Sequence, residues 1–250
     1  MTRPVRASSR SQERIGGLRG LGPDFLVPPA ALDRLSLTGD RGGVVLGSDQ
    51  NGGAVQLNLL RSTPTRVVLL GGLYLARQVV LRAAATGAAV VIATGRPAAW
   101  APVLRATGSS PGGRDTDPTG PVQLRGLQPD TLPRPSEDHP LLVVHDGSAV
   151  PQELYPPRSG WQTTAYVLPY LHPQVGTTAS GADLALVQRL PVGQAQLAGR
   201  MWRLRPSAVQ SLATLTDDGL AAIGTDLWLP LRLVTTPLES ALLGPVRRGD

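Results

Sequence analysis

The pattern of residues 66–94 constrains the fold more than any other part of the sequence. Arg66–Leu70 (RVVLL) is a short run that is apolar after its arginine, two glycines follow it, and Leu73–Thr86 then repeats apolar residues at helical spacing. Gly87 stands where a helix C-cap is expected, and Ala88–Thr94 is a second continuous apolar run. Strand, helix and strand in this order predict a βαβ unit, whose two strands are parallel and buried on both faces.

Shorter patterns extend this unit into a larger α/β domain. Strands are predicted at 43–47, 54–60, 66–70, 88–94, 141–144, 162–168, 182–188, 220–223 and 228–234, and helices at 73–86, 100–107, 192–202 and 207–212. We expect a mainly parallel, twisted sheet flanked by helices, of a degenerate P-loop or Rossmann-like type, with an antiparallel strand pair at each end.

The composition also suggests where the domain begins and ends. Residues 1–30 are predicted to be a disordered arginine-rich arm, 31–245 a single α/β domain, and 246–250 a tail. Residues 108–140 are rich in Pro, Gly, Asp and Ser around one strand-like island at 122–124, which predicts a surface insertion in that domain.

The positive charge of the chain is concentrated at its start. The net charge is +6, and Arg3, Arg6, Arg10, Arg14 and Arg19 share the first 20 residues with a single acid, Glu13. The remaining residues are close to neutral, and no basic stretch alternates with aromatic side chains. We therefore expect no nucleic-acid partner, although a basic nucleic-acid-binding protein stays open as a second alternative.

Two residue types are missing, and their absence excludes several kinds of site. All 24 basic residues are arginine, so the chain has neither a Schiff-base lysine nor a P-loop lysine, and it has no cysteine. The three histidines, His139, His145 and His172, show no metal-ligand spacing. The sequence thus predicts no metal site, no cofactor and no catalytic residue.

The turn after the first parallel strand is where such a fold would bind a nucleotide. A Walker A loop requires a lysine that this turn lacks, and a dinucleotide fingerprint requires glycine where Leu73 stands, although Gly71 and Ala76 fit its first and sixth places. We favour a purely structural turn. The alternative is a nucleotide- or NADP-dependent α/β enzyme that uses Gly71, Gly72, Arg96 and Asp146.

Two further groups of residues are functional candidates. Asp146 follows the buried run 141–144 at the end of a strand, where α/β enzymes place catalytic or metal-binding acids, but Asp-Gly is also an ordinary turn, which we favour. Tyr155, Trp161 and Tyr166 are candidates for partner contact, since exposed aromatic residues often anchor interfaces.

Four stretches resemble a known family. Residues 65–73 (TRVVLLGGL), 94–100 (TGRPAAW), 161–171 (WQTTAYVLPYL) and 182–190 (ADLALVQRL) resemble the soluble domain of EccE-type proteins of actinobacterial type VII (ESX) secretion systems. More distantly, the order of elements is similar to the RecA-like domain of FtsK/SpoIIIE translocases without its Walker A loop. The resemblance implies a non-catalytic scaffold whose partners are other type VII secretion components.

The sequence contains no predicted membrane span. The longest uncharged stretch, 159–182, includes glutamine, threonine, histidine and proline, and the arginine arm is not followed by the apolar segment of a secretory signal. We therefore expect a cytoplasmic protein, peripheral at the inner face of the cell membrane where the arginine arm meets anionic lipid.

Overall fold

The computed structural model describes residues 43–110, 120–127, 129, 131–147, 158–175 and 179–246. All of them belong to one compact unit, Asp40–Asp250. The predicted arginine arm lies outside the described residues.

One ten-stranded sheet forms the centre of this unit, in the order β2-β1-β10-β9-β8-β3-β7-β6-β4-β5. The strands are β1 (Val44–Ser48), β2 (Ala54–Leu57), β3 (Thr65–Leu70), β4 (Ala89–Thr94), β5 (Val122–Arg125), β6 (Leu141–Asp146), β7 (Gln162–Leu168), β8 (Leu184–Gln188), β9 (Gly219–Gly224) and β10 (Leu227–Leu233).

The six strands from β8 to β5 are parallel. The predicted strand-helix-strand unit is present as β3, α1 (Leu73–Ala85) and β4, but β7 and β6 lie between its two strands. The strand-like island in the insertion is β5, which pairs with β4 as the edge of the sheet. The carboxyl ends of these strands meet along one edge, which we call the carboxyl edge.

The structure confirms a mainly parallel sheet with two antiparallel pairs, but it places both pairs at the same end. The β1–β2 hairpin pairs through β1 with β10, so the first and last of the ten described strands are neighbours. The β9–β10 hairpin connects them to β8. Sequence patterns reveal each hairpin because it is local, whereas the pairing of β1 with β10 joins distant parts of the chain.

Helices cover both faces of the sheet. They are α1 (Leu73–Ala85), α2 (Ala101–Ala106), α3 (Val192–Met201), α4 (Pro206–Thr214) and α5 (Pro237–Leu243), with 3-10 turns at Pro97–Trp100 and Pro173–Val175. Helix α5 was not predicted from the sequence, although Thr236 and Glu239 form a capping box around Pro237 at its first position.

Two apolar clusters form the core because successive strand residues point to opposite faces. Val67 and Leu69 of β3 pack in the cluster that includes α1 and α2, whereas Val68 and Leu70 pack in the cluster that includes α3 and α4. This burial on both faces explains why β3 is a continuous apolar run. It also fixes the end of β3, and therefore the following turn, firmly in place.

Candidate functional site

The turn between β3 and α1 lies at the carboxyl edge, at the start of a 13-residue helix. Gly72 occupies the N-cap position without a side-chain cap, and the first turn of α1 carries no acidic residue. Gly71 has a φ of 150°, a conformation that favours glycine. Gly71 and Gly72 thus form the tight strand-to-helix turn that the sequence predicts, and the turn contains no lysine.

Gln188, at the end of β8, explains why position 71 is glycine. A Cβ atom at this position would lie 2.6 Å from the Cβ of Gln188 and 2.5 Å from its Oε1. The side chain of Gln188 is only 1% exposed, and among the described residues neither its Oε1 nor its Nε2 has a hydrogen-bond partner. The packing of Gln188 is therefore sufficient to explain the glycine at position 71, and a bound phosphate close to the backbone is not needed to explain it.

Asp146 is more than the ordinary turn residue that the sequence favours, because its carboxylate is buried and hydrogen-bonded. It is the last residue of β6, is 4% exposed, and accepts hydrogen bonds from three side chains. The guanidinium of Arg96 binds both carboxylate oxygens, with Nη2 at 2.7 Å from Oδ1 and Nε at 3.0 Å from Oδ2. The Trp100 indole N–H and the Thr94 hydroxyl donate to Oδ2 at 2.8 and 3.0 Å.

These contacts connect the ends of two neighbouring strands. Thr94 pairs with Asp146 across β4 and β6, and Arg96 and Trp100 follow β4 in the chain. The side chain of Arg96 is 45% exposed, whereas Trp100 is fully buried, so the carboxylate is enclosed on one side and paired with a guanidinium on the other. Both oxygens are engaged, and the group is suited to a structural role.

The four residues of the alternative enzyme site therefore form two separate groups. Arg96 and Asp146 are in contact, but Gly71 and Gly72 follow β3, and β7 separates β3 from β6. Two strand spacings amount to about 10 Å. Within the described ranges, no group of three or more potential ligands could hold a metal ion.

The aromatic candidates for partner contact do not form one surface. Tyr166 is 2% exposed in β7, which is covered on both faces, so it cannot contact a partner there. Its ring instead lies 5.7 Å from that of His145, measured between centroids, and burial lowers the pKa of His145. Trp161 is half-buried just before β7, about 16 Å along the strand from Tyr166. Tyr155 lies outside the described residues.

A groove of about 1000 Å³ lies elsewhere, between the β1–β2 hairpin, the C-terminal half of α1, and α5. Its lining is mostly apolar and includes the exposed side chains of Val45, Val234 and Leu238. Its charged residues, Arg82 and Glu239, pair at 2.6 Å. The groove therefore contains an ion pair and no constellation suited to acid–base or nucleophilic chemistry.

Sequence reasoning missed two features of the carboxyl edge. Gln188 ends an otherwise apolar strand, and that polar residue was the available signal. The pairing of Arg96 with Asp146 had no signal in the spacing, because 50 residues separate the two.

Among the described residues, no helix has both the length and the apolar character needed to cross a membrane.

Comparisons with known proteins identify the fold. No family model matches the chain, and no curated protein matches it. A solved structure, VirB4 of Thermoanaerobacter pseudethanolicus, is similar with a TM-score of 0.58 and 10% identity, covering 80% of this chain and 98% of that chain. At this identity the likeness shows the fold alone, which is an α/β fold similar to that of a P-loop ATPase.

Proposed function

We propose that this protein is a non-catalytic interaction component of a secretion apparatus, with a P-loop-like fold that does not bind nucleotide. The observation that carries the proposal is the β3–α1 turn, where the side chain of Gln188 packs against Gly71 and no ammonium group is present. A P-loop needs a lysine to reach the β- and γ-phosphates. Gly71 packs against the side chain of Gln188 instead.

The state of Asp146 supports the same conclusion. In a P-loop ATPase, an acid at the end of a neighbouring strand helps to hold Mg²⁺ at the phosphates. Here Arg96, Thr94 and Trp100 occupy both oxygens of the Asp146 carboxylate. A metal ion would have to displace a guanidinium that already neutralises the charge.

The proposal of a secretion role rests on two observations. The sequence resembles EccE-type proteins of type VII secretion in four stretches, and the fold is similar to that of VirB4, a P-loop ATPase of a secretion system. We propose that the partners are other components of a type VII (ESX) system, at the cytoplasmic side of the cell membrane. The arginine-rich residues 1–30 would add attraction to anionic lipid there.

A nucleotide-binding experiment tests the non-catalytic part of the proposal. The full chain is titrated with ATP, GTP, NAD and NADP, with and without Mg²⁺, and its thermal midpoint is recorded. A ligand at 100 times its dissociation constant would stabilise the fold by about 2.7 kcal/mol, so binding would be plainly visible. We expect no shift. A reproducible shift that disappears in Gly72→Leu would contradict the proposal.

A co-purification experiment tests the secretion part. The chain is co-expressed with the FtsK/SpoIIIE-type ATPase and the other type VII components of its own genome, and complexes are separated by size-exclusion chromatography. We expect co-elution with at least one of them, whereas elution alone in every combination would contradict this part. The two experiments fail independently, since neither result depends on the other.

A further inference from the structure

The turn between α3 and α4 carries three exposed arginines. We call Arg200–Arg205 the arginine turn; its basic residues are Arg200, Arg203 and Arg205. No acidic residue occurs between Asp183 and Asp217, so the only charged residues of α3, α4 and the turn between them are these three arginines. Among the described residues, side-chain ion pairs are found for several other arginines but for none of these three. They form a local positive surface on a body that is otherwise nearly neutral.

Folding accounts for only one of the three arginines. Arg200 lies in the last turn of α3, where a cation interacts favourably with the helix dipole. Arg203 has a φ of 52°, in the left-handed region. It follows the C-cap residue Trp202, and the Leu204 N–H donates to the Gly199 carbonyl at 2.9 Å, which is the hydrogen bond of a Schellman motif. Glycine is the favoured residue at that position.

Arg205 is also poorly placed for folding. It is the N-cap of α4, makes no capping hydrogen bond, and puts a positive charge at the positive end of the helix dipole. Serine, threonine, aspartate or asparagine would cap this helix better. Two of the three arginines thus stand where their side chains disfavour the local structure, which suggests that the charges serve binding.

We propose that the arginine turn is a contact site for the anionic headgroups of a membrane surface. Its arginines alternate with the half-buried apolar residues Met201, Trp202 and Leu204, a composition typical of segments that lie at a membrane interface. Lipid phosphates near the surface would attract each guanidinium and satisfy the charge at the start of α4. This site is separate from the β3–α1 turn and does not depend on whether that turn binds nucleotide.

A lipid surface fits these residues better than nucleic acid does. Sequence-independent binding of single strands uses exposed aromatic rings on which bases stack. The only aromatic residue in the arginine turn is Trp202, which is half-buried, and its indole N–H donates to the Ala179 carbonyl at 2.9 Å. Its ring is therefore fixed in the body of the domain.

Vesicle sedimentation of the full chain tests the proposal. Vesicles of phosphatidylcholine with about 30 mol% phosphatidylglycerol are compared with phosphatidylcholine alone at about 0.1 M salt. We expect the triple variant Arg200→Gln, Arg203→Gln, Arg205→Gln to lower the partition coefficient on the anionic vesicles about 100-fold. The matched control is Arg105→Gln, Arg134→Gln, Arg158→Gln, which removes the same charge from exposed arginines elsewhere.

A single variant separates binding from folding. Arg203→Gly relieves the left-handed backbone, so we expect the thermal midpoint to stay or rise while the partition coefficient falls about 5-fold. Asp226→Gly is the control, because Asp226 is exposed with a φ of 58° and its replacement relieves a similar conformation without removing an arginine. That control should retain its vesicle binding.

Three outcomes would overturn the proposal. The two triple variants could lose vesicle binding equally, which would show that the net charge of the protein, and not the position of the arginines, determines binding. Arg203→Gly could bind the anionic vesicles as well as the unchanged protein does. The arginine-turn triple variant could retain vesicle binding but lose affinity for a short DNA duplex, which would assign the site to nucleic acid.

Discussion

Two polar groups at the carboxyl edge of the sheet differ in how well their hydrogen bonds are satisfied. The carboxylate of Asp146 is buried and accepts hydrogen bonds from Arg96, Thr94 and Trp100. The amide of Gln188 is more deeply buried, and neither of its polar atoms has a partner among the described residues. The first group is built for stability, whereas the second carries an energetic cost that its packing against Gly71 must offset.

The two groups also differ in charge. At Asp146, an arginine from the neighbouring strand end supplies a positive charge beside the carboxylate. At the β3–α1 turn, a neutral amide packs against the glycine and adds no charge. Variants at Gly71, Asp146 and Gln188 test this comparison, and a variant at Glu239 tests an ion pair away from this edge.

The largest effect is expected at Gly71. Gly71→Ala would place its Cβ 2.6 Å from the Cβ of Gln188 in a conformation that disfavours alanine, and should cost about 3 kcal/mol in the free energy of unfolding. Gly87→Ala is the control, since Gly87 has a φ of 90° and nothing within 4 Å of the added atom. It should cost about 1 kcal/mol. Urea denaturation measures both.

A double variant tests whether Gln188 causes the clash. Adding Gln188→Ala to Gly71→Ala should recover part of the lost stability, because the contact is removed while the backbone strain remains. If the effects of the two changes simply add, the packing explanation for Gly71 is wrong.

A smaller loss is expected at Asp146. Asp146→Ala leaves the buried Trp100 N–H without the acceptor that Asp146 provides and breaks the ion pair with Arg96, so we expect a cost of about 2 kcal/mol. The exposure of Arg96 limits the effect. Asp217→Ala is the control: it breaks the more exposed pair with Arg189 and should cost less than about 1 kcal/mol. Equal losses would show that the Asp146 network adds no stability.

Replacing Gln188 should stabilise the protein. Gln188→Met keeps the volume and removes two buried polar atoms without partners, so the free energy of unfolding should rise by about 1 kcal/mol. Gln194→Met is the matched control, because its amide bonds the Leu171 N–H at 2.7 Å and the Leu171 carbonyl at 3.2 Å. That control should lose stability. A loss in Gln188→Met would mean that its amide has a partner in solution.

The smallest effect concerns the ion pair between Arg82 and Glu239, away from the carboxyl edge. Burial raises the pKa of Glu239, but hydrogen bonds from Arg82 and the Thr236 N–H together lower it by more than burial raises it. The pKa of Glu239 therefore lies below its ordinary value. The pKa of Glu239 is lower in the folded state than in the unfolded state. The ion pair therefore stabilises the folded state fully at pH values above the unfolded-state pKa, and this stabilisation is lost as the pH falls through the folded-state pKa. We expect a loss of under about 1 kcal/mol on acidification.

Glu239→Gln checks this assignment. The variant should have lower stability at neutral pH and a flatter acid limb in a pH series of unfolding curves, since the titrating group is gone. An unchanged acid limb would show that Glu239 does not contribute to the pH dependence.

The sequence was sufficient to predict the parts of the fold that follow local rules. Arg66–Leu70 and Ala88–Thr94 are apolar because central parallel strands are buried on both faces, and both are strands of the sheet. The strands of both hairpins were also predicted, because each hairpin is local. Helix α5 was missed because it is only seven residues long, although its capping box was readable.

The candidate site was less predictable for a physical reason. The missing lysine is a property of composition and could be read directly, whereas the contact of Gln188 with Gly71 depends on β8 lying beside β3. The pairing of Arg96 with Asp146 likewise depends on β4 lying beside β6. Sheet order brings these residues together, and spacing along the chain does not encode it.

The pairing of β1 with β10 has a consequence for how the chain is made. Gly47 lies opposite Leu233, so the β1–β2 hairpin has no strand beside β1 on its other side until β10, much later in the chain, has left the ribosome. Contacts this distant in sequence form late and slowly. Ribosome-bound chains arrested before Leu227 should therefore expose β1 to proteases, and the antiparallel end should be the last part of the sheet to become resistant.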